Sequence, residues 1–161
     1  MPHVGWLKLV VRGGRITKTD PAVRIDFGGI AKGYAVGEAV KTIRAAGIQS
    51  ALVDAGGQIF AIGTLNGLPW KVGIRDPRGD GVFASLDVAD LTVATSGDYE
   101  RYFETNGVRY HHILDPKTGY PVKGLRSVTV IAPDAAMGDG LSTAVFVLGK
   151  VRGLAFLEKS G

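Results

Sequence analysis

Asp139 and Thr143, four residues apart, put a carboxylate and a hydroxyl one turn apart on the same side of a segment with helical periodicity. Such hard oxygen donors suit magnesium, which takes one or two protein oxygens and fills its other positions with water and substrate phosphate. The same residues have plain structural uses. An aspartate can cap a helix and a threonine can bond its own backbone, so on spacing alone both readings stand. A second candidate lies early in the chain, where the apolar run 23–27 stops at Gly28-Gly29. Val36, Ala39, Val40 and Ile43 then recur at helical spacing up to Gly47. Read as strand, glycine turn and helix, this junction aims the free N–H groups of a first helical turn at an anion, with Lys32 adding positive charge. Glycine pairs before helices also serve packing alone, and the string is neither a Walker loop nor a G-x-G-x-x-G fingerprint.

A third candidate is the pair His111-His112 in a strand pattern, from which only one ring can enter a given site because successive side chains point to opposite faces. Asp115-Pro116 with Gly119 following is good turn chemistry, and the plain alternative is a well-made loop.

The elements that must position these groups are legible from turns and periodicity. Residues 6–11 read as a strand, Gly13-Gly14 as a turn and residues 15–18 as the returning partner. Residues 50–54 read as a buried strand running into Ala55-Gly56-Gly57, which admits either close ligand approach or a tight bend. Residues 59–64 and 70–76 read as a hairpin about Asn66-Gly67, with residues 77–81 as a loop. Strands are expected at 82–88 and 91–95, the second ending where Ser96 or Asp98 caps a short helix through Phe103. Asn106-Gly107 opens a strand over 108–114, and residues 126–132 close the series. In the last segment Met137, Leu141, Ala144, Val145 and Leu148 form one apolar helical stripe, with Asp139 and Thr143 opposite. The sum is an α+β chain: a mixed, largely antiparallel sheet with packed helices, in a single domain over 1–161.

Composition narrows the function classes. The 161 residues suffice for one domain with a real core. The 24 glycines, about twice the usual ~7%, stand singly or in pairs between apolar runs, as expected of a backbone-lined site. A formal charge of +4 is spread over scattered Lys and Arg without aromatic interleaving, which fits a pocket for a small anion better than a nucleic-acid surface. The absence of cysteine excludes disulfides, zinc thiolate sites and cysteine nucleophiles. No apolar stretch reaches the ~18 residues of a membrane span and the start lacks a signal-peptide pattern, so the compartment stays open.

Five strings together carry a resemblance. They are Asp26-Phe27-Gly28-Gly29-Ile30-Ala31-Lys32-Gly33-Tyr34-Ala35-Val36, Val53-Asp54-Ala55-Gly56-Gly57, Ser96-Gly97-Asp98-Tyr99, His112-Ile113-Leu114-Asp115-Pro116-Lys117-Thr118-Gly119-Tyr120-Pro121 and Asp139-Gly140-Leu141-Ser142-Thr143-Ala144. In this order they resemble the motifs of the ApbE family, the FAD:protein FMN transferases. The resemblance implies magnesium-dependent transfer of the FMN half of FAD onto a serine or threonine hydroxyl of an acceptor flavoprotein, with AMP leaving. It implies a metal held by the Ala31 carbonyl, Asp139 and Thr143. It places Lys32, Gly33, Asp54, Gly56, Gly57, Ser96, Gly97, Tyr99 and Glu100 in or beside the FAD pocket, His112 in proton transfer, and Asp115 in support of that loop. A magnesium-dependent FAD pyrophosphatase and a non-catalytic FAD-binding domain are the alternatives. Family members usually carry more chain at both ends. By that measure this chain is a shortened form or fragment, with the flavin ring poorly enclosed unless a partner chain or second subunit completes the pocket. The family is often periplasmic or membrane-anchored.

Overall fold

A computed structural model describes residues 1–160. After a 3-10 turn at Trp6–Lys8 come β1 (Leu9–Arg12), β2 (Arg15–Lys18), α1 (Ala31–Ala45), β3 (Ala51–Asp54), β4 (Gln58–Ile62), β5 (Trp70–Arg75) and β6 (Val82–Val88). They are followed by β7 (Leu91–Gly97), β8 (Tyr102–Thr105), β9 (Val108–His111), β10 (Ser127–Ala132), α2 (Ala135–Leu148) and α3 (Lys150–Ser160). The fold is α+β. A central sheet runs in the order β10-β7-β4-β3, and β1-β2, β5-β6 and β8-β9 form separate two-stranded ribbons, every described ladder being antiparallel.

Period-two alternation along β4 gives the sheet two apolar faces. Phe60 and Ile62 pack with Val36 and Val40 of α1 and Ala135 of α2. Ala61, between them, packs with Val72, Val88 and Val93 on the other side, under the β5-β6 ribbon. Phe146 of α2 is fully buried, and removing such a ring typically costs about 3–5 kcal/mol. The helix layer is seated by small and polar residues. At Gly138 of α2 a Cβ would lie 2.7 Å from the Thr92 methyl, so only glycine lets the helix down onto β7. Buried Gln58 donates to Thr92 Oγ1 (2.9 Å) and to the Ala135 carbonyl (3.1 Å), tying the sheet to the start of α2. Asp134 caps α2 by accepting the Met137 N–H.

Several expectations are corrected. Residues 23–27 form no strand: only Val23 is buried, Ile25 and Phe27 are exposed, and Asp26 turns its carboxylate back onto the Gly28 N–H. The apolar run lacks a partner strand, so its pattern alone cannot make one. The first strand begins at Leu9, because Trp6–Lys8 is a 3-10 turn. β3 is the half-exposed edge of the sheet, not a buried strand. Asn66-Gly67 closes only the small Leu65–Leu68 bridge, and β5 pairs with β6 instead of β4. No helix follows Ser96: β7 continues to Gly97 and β8 begins at Tyr102, since Asp98 spends its carboxylate on an arginine and not on backbone N–H groups. β9 ends at His111, where the chain turns toward Asp115. The buried side of α2 is Ala135, Gly138, Asp139, Ser142, Val145 and Phe146, whereas Met137 is exposed. Packing of small residues against β7 rotates the helix away from the stripe that hydrophobicity alone suggests.

Candidate active site

The start of α1 and the middle of α2 meet. α1 has no side-chain cap of its own at Ile30. Its orphan Gly33 N–H instead donates to Asp139 Oδ2 at 2.8 Å, a charge-assisted bond between residues far apart in sequence. Helices can approach this closely only because residue 33 is glycine: a Cβ there would lie 2.2 Å from the Ala135 carbonyl oxygen and 2.6 Å from the Asp139 Cβ. Thr143 sits over the Gly28-Gly29 turn, its Oγ1 3.5 Å from where a Cβ on Gly29 would be. Thr143 Oγ1 is also 3.2 Å from Ser96 Oγ, which lies 2.8 Å from Ser142 Oγ, and Ser142 in turn donates to the Asp139 carbonyl. The three hydroxyls therefore form one chain that ends on the main chain of Asp139. Ser142, three residues after Asp139 in the helix, belongs to this cluster and the sequence reading passed over it. Its signals were helical spacing from Asp139 and its place in the string Asp139-Gly140-Leu141-Ser142-Thr143-Ala144.

Asp139 is 5% exposed, and no Lys, Arg or His of the described residues forms an ion pair with it. Oδ1 makes no hydrogen bond with them, and no fully enclosed side-chain oxygen or nitrogen lacks a partner, so Oδ1 faces open space. A withdrawn carboxylate without a cation is costly, and a divalent ion would supply the missing charge. A carboxylate with the Thr143 hydroxyl one helical turn on belongs to the hard-donor set magnesium takes, and no cluster of three or more His, Cys, Asp or Glu exists among the described residues to suit a softer metal.

The anion reading of the glycine junction is altered. Ala31 and Gly33 N–H groups are engaged by the Phe27 carbonyl and by Asp139, so the first turn is not a bare cradle. Lys32 reaches instead to the Gly56 carbonyl at 3.3 Å, across the β3-β4 turn. In that turn Gly56 and Gly57 hold φ of 63° and 85°, which glycine tolerates best, and the Asp54 carboxylate accepts the Gly57 N–H. Lys32, Asp54, Gly56 and Gly57 are thus one group at the mouth of α1.

On the opposite side of β7, a cavity of about 220 Å³ between the sheet and the β5-β6 ribbon is lined by Gly57, Arg75, Thr95, Tyr99 and Glu100 among others. Ser96 and Thr95 point to opposite faces, as neighbours on a strand must. The Tyr99 ring lies over Gly97, where a Cβ would come within 2.5 Å of it, and under the Arg75 guanidinium at 5.4 Å. Burial, reinforced by the nearby Glu100 charge, pushes the Tyr99 hydroxyl pKa up against the opposing pull of Arg75.

The two histidines differ in burial, although both line one cleft and only His111 lies within β9. His111 is buried, its Nε2 2.8 Å from the Val122 carbonyl and its ring edge-on to Phe146. His112 lines a cleft of about 490 Å³ walled by Arg101, Phe103, Tyr110, Leu114 and Tyr120. Its Nδ1 lies 3.2 Å from the Arg101 carbonyl, an acceptor, so Nδ1 carries the proton and Nε2 is left as the base. Although one side of the ring is exposed, burial of the other lowers its pKa below the ordinary 6.5, against the opposing pull of that bond. Asp115 shapes the loop: Oδ1 accepts the Lys117 N–H and its carbonyl accepts from Thr118 and Gly119. No hydrogen bond or ion pair joins His112 or Asp115 to Asp139 or Thr143.

Comparison with known proteins gives the family. A profile of the ApbE family matches residues 1–161. The FAD:protein FMN transferase of Treponema pallidum is 46% identical over 85% of this chain and 41% of its own length. That of Haemophilus influenzae is 41% identical over 90% of this chain and 43% of its own. The ApbE protein of Thermotoga maritima superposes with a TM-score of 0.91 at 44% identity, over 99% of this chain and 53% of the other. The flavin transferase ApbE of Vibrio cholerae does so with 0.87 at 34%, over 98% and 51%. The chain thus spans about half the length of the proteins it matches. With its own fold and all five motif strings accounted for inside that match, the chain belongs to the ApbE family.

Proposed function

We propose that this chain takes part in transferring the FMN moiety of FAD, with magnesium, to a serine or threonine hydroxyl of an acceptor flavoprotein, releasing AMP. The observation that supports it most is the meeting of the α1 start with Asp139 and Thr143, around a carboxylate that has no cation of its own. The FAD:protein FMN transferase names of its relatives supply the substrate.

The Ala31 carbonyl, Asp139 Oδ1 and Thr143 Oγ1 would hold the magnesium, which when bound neutralises diphosphate charge and stabilises the departing phosphate. The protein's own contribution is positioning. Gly33 and Asp139 lock the two helices together, and Lys32 presents a positive charge at the glycine turn where the diphosphate would lie. Tyr99 and Glu100 line the cavity on the other face of the sheet for a further part of the dinucleotide. His112 Nε2 takes the acceptor hydroxyl proton as the oxygen forms its bond to the FMN phosphorus. The diphosphate P–O bond breaks on the far side, and its electron pair leaves with AMP. Asp115 keeps the loop that carries this ring in shape.

The test is incubation with FAD, magnesium and an acceptor flavoprotein. AMP together with flavin-labelled acceptor supports transfer. AMP with free FMN redirects the reading to hydrolysis, water replacing the hydroxyl. FAD that binds and stays intact overturns both and leaves a binding domain.

A further inference from the structure

Asp98 has no part in the proposed chemistry, yet three separate segments converge on it. The residue is 7% exposed, and its N–H donates to the Arg126 carbonyl as a continuation of the β7-β10 ladder. Its two carboxylate oxygens each accept one N–H of the Arg78 guanidinium, at 2.7 and 2.6 Å. Arg109 of β9 approaches from the other side, 3.7 Å from Oδ1. Paired oxygens meeting a planar fork fix orientation as well as distance.

Each partner is itself held. Arg78 sits in the loop between β5 and β6, where the Asp76 carboxylate accepts the N–H groups of Arg78 and Gly79 and the Asp76 N–H closes onto the Gly81 carbonyl. The loop is a firm anchor. Arg109 bonds Glu104 across the hairpin at 2.9 Å and lies 4.0 Å over the Tyr102 ring, so it moves with the β8-β9 ribbon. All four residues of β8 are exposed, so on that strand the ribbon has little apolar anchorage, and its packing comes from β9, whose last residue His111 is buried against Phe146. It nevertheless leads directly into His112, whose backbone N–H and Nδ1 both bond to the Arg101 carbonyl, three residues after Asp98.

We infer that Asp98 is a positioning residue: by gripping Arg78 and pairing with Arg109 it fixes the Tyr99–Arg101 segment and the β8-β9 ribbon between which the His112 ring is set. Tyr99 has independent support from Gly97 and Arg75, so the placement that depends on Asp98 is chiefly that of His112. Without the carboxylate, two guanidiniums face each other and the ribbon loses its ionic tie to the β5-β6 loop. In its kinetic consequence this inference rests on the transfer reading given above.

The experiment compares Asp98→Asn, Asp98→Glu and Arg109→Gln with the unaltered chain. The ring signals of His112 are followed by NMR in histidine-labelled protein, identified by their loss in His112→Gln, with those of His3 as an internal reference. Asp98→Asn and Arg109→Gln should each move the His112 signals while leaving those of His3 in place, and Asp98→Glu should return them toward their original position. In the transfer assay, Asp98→Asn should lower kcat about 10- to 100-fold, with KM for FAD changed far less, as expected when a reacting group is misplaced and binding is kept. The double variant should lose no more than the worse single one, because both substitutions cut the same tie. His112 signals unmoved in a folded Asp98→Asn or Arg109→Gln protein would overturn the inference, as would a loss confined to KM. If the unaltered chain releases no AMP, the transfer reading fails, while the NMR comparison still decides whether Asp98 sets the ring.

Discussion

Gly33→Ala is the sharpest probe of the α1-α2 junction, because the structure sets both its cost and its control. The added Cβ would lie 2.2 Å from the Ala135 carbonyl oxygen, where ordinary contact begins at 3.4 Å. The helices must therefore separate by roughly 1 Å, a backbone shift that no side-chain rotation relieves. Such movement stretches the 2.8 Å bond from the Gly33 N–H to Asp139 beyond hydrogen-bonding distance. Overpacking costs about 1–3 kcal/mol and loss of a hydrogen bond to a carboxylate about 1.5–3; the preference of a helix for Ala over Gly returns ~1. The net is a destabilisation of about 1.5–5 kcal/mol, or a drop in Tm of about 3–20 °C for a domain of this size. Gly37→Ala, one turn further along α1, is the control: its Cβ meets only the Ala135 methyl at 4.0 Å, so the propensity gain stands alone. Urea unfolding and thermal melts of the two variants measure the contrast. Equal stability of Gly33→Ala and the unaltered chain, or equal losses at both positions, would refute the account of the junction and with it the placement of Asp139.

Three further outcomes follow from the same geometry. Asp139→Asn keeps an acceptor for the Gly33 N–H but no charge, so it should fold nearly as stably. If magnesium binds as proposed, the unaltered chain should gain Tm by RT ln(1 + [L]/Kd) and Asp139→Asn should not, and an equal gain in both removes Asp139 from the metal site. His112, with its pKa lowered below 6.5, binds fewer protons folded than unfolded. The stability it permits is complete above that value and declines as pH falls through it toward the lower folded value. His112→Gln should flatten this decline, read by melts across that range; an unchanged slope assigns it to other groups. The acid limb of kcat/KM in the transfer assay should likewise lie below 6.5 and vanish in His112→Gln, and a limb that survives the substitution denies His112 the role of base.

How much could be read before folding depended on whether a signal was local. The 3.6-residue spacing of Val36, Val40 and Ile43 marked α1 because a helix buries one stripe wherever it lies, and Asn106-Gly107, with φ of 50° and 72°, marked where the strand at Val108 opens because the turn geometry itself demands those residues, although the strand before it, β8, had the signals of a helix end. The reading failed where a partner decided. Residues 23–27 have the composition of a strand and no neighbour to pair with. Asn66-Gly67 made its turn, yet β5 found β6 rather than β4. Asp98 and Asp139 each had the position of a cap; one took Arg78, and the other caps a different helix from its own.

From the chain of residues alone one could name the chemistry: hard oxygen donors, a lysine beside glycines, a histidine on a strand, and the family whose motifs they resemble. Side-chain types and short spacings carry that information, since they hold in any surroundings. Tertiary structure alone decided that Asp139 turns inward, that Gly33 exists to let α2 close on α1, and that His112 rests on a ribbon tied back through Asp98. Those facts depend on contacts between residues in different elements, from 11 to 106 positions apart, and which of many possible contacts forms is settled only when the whole core packs.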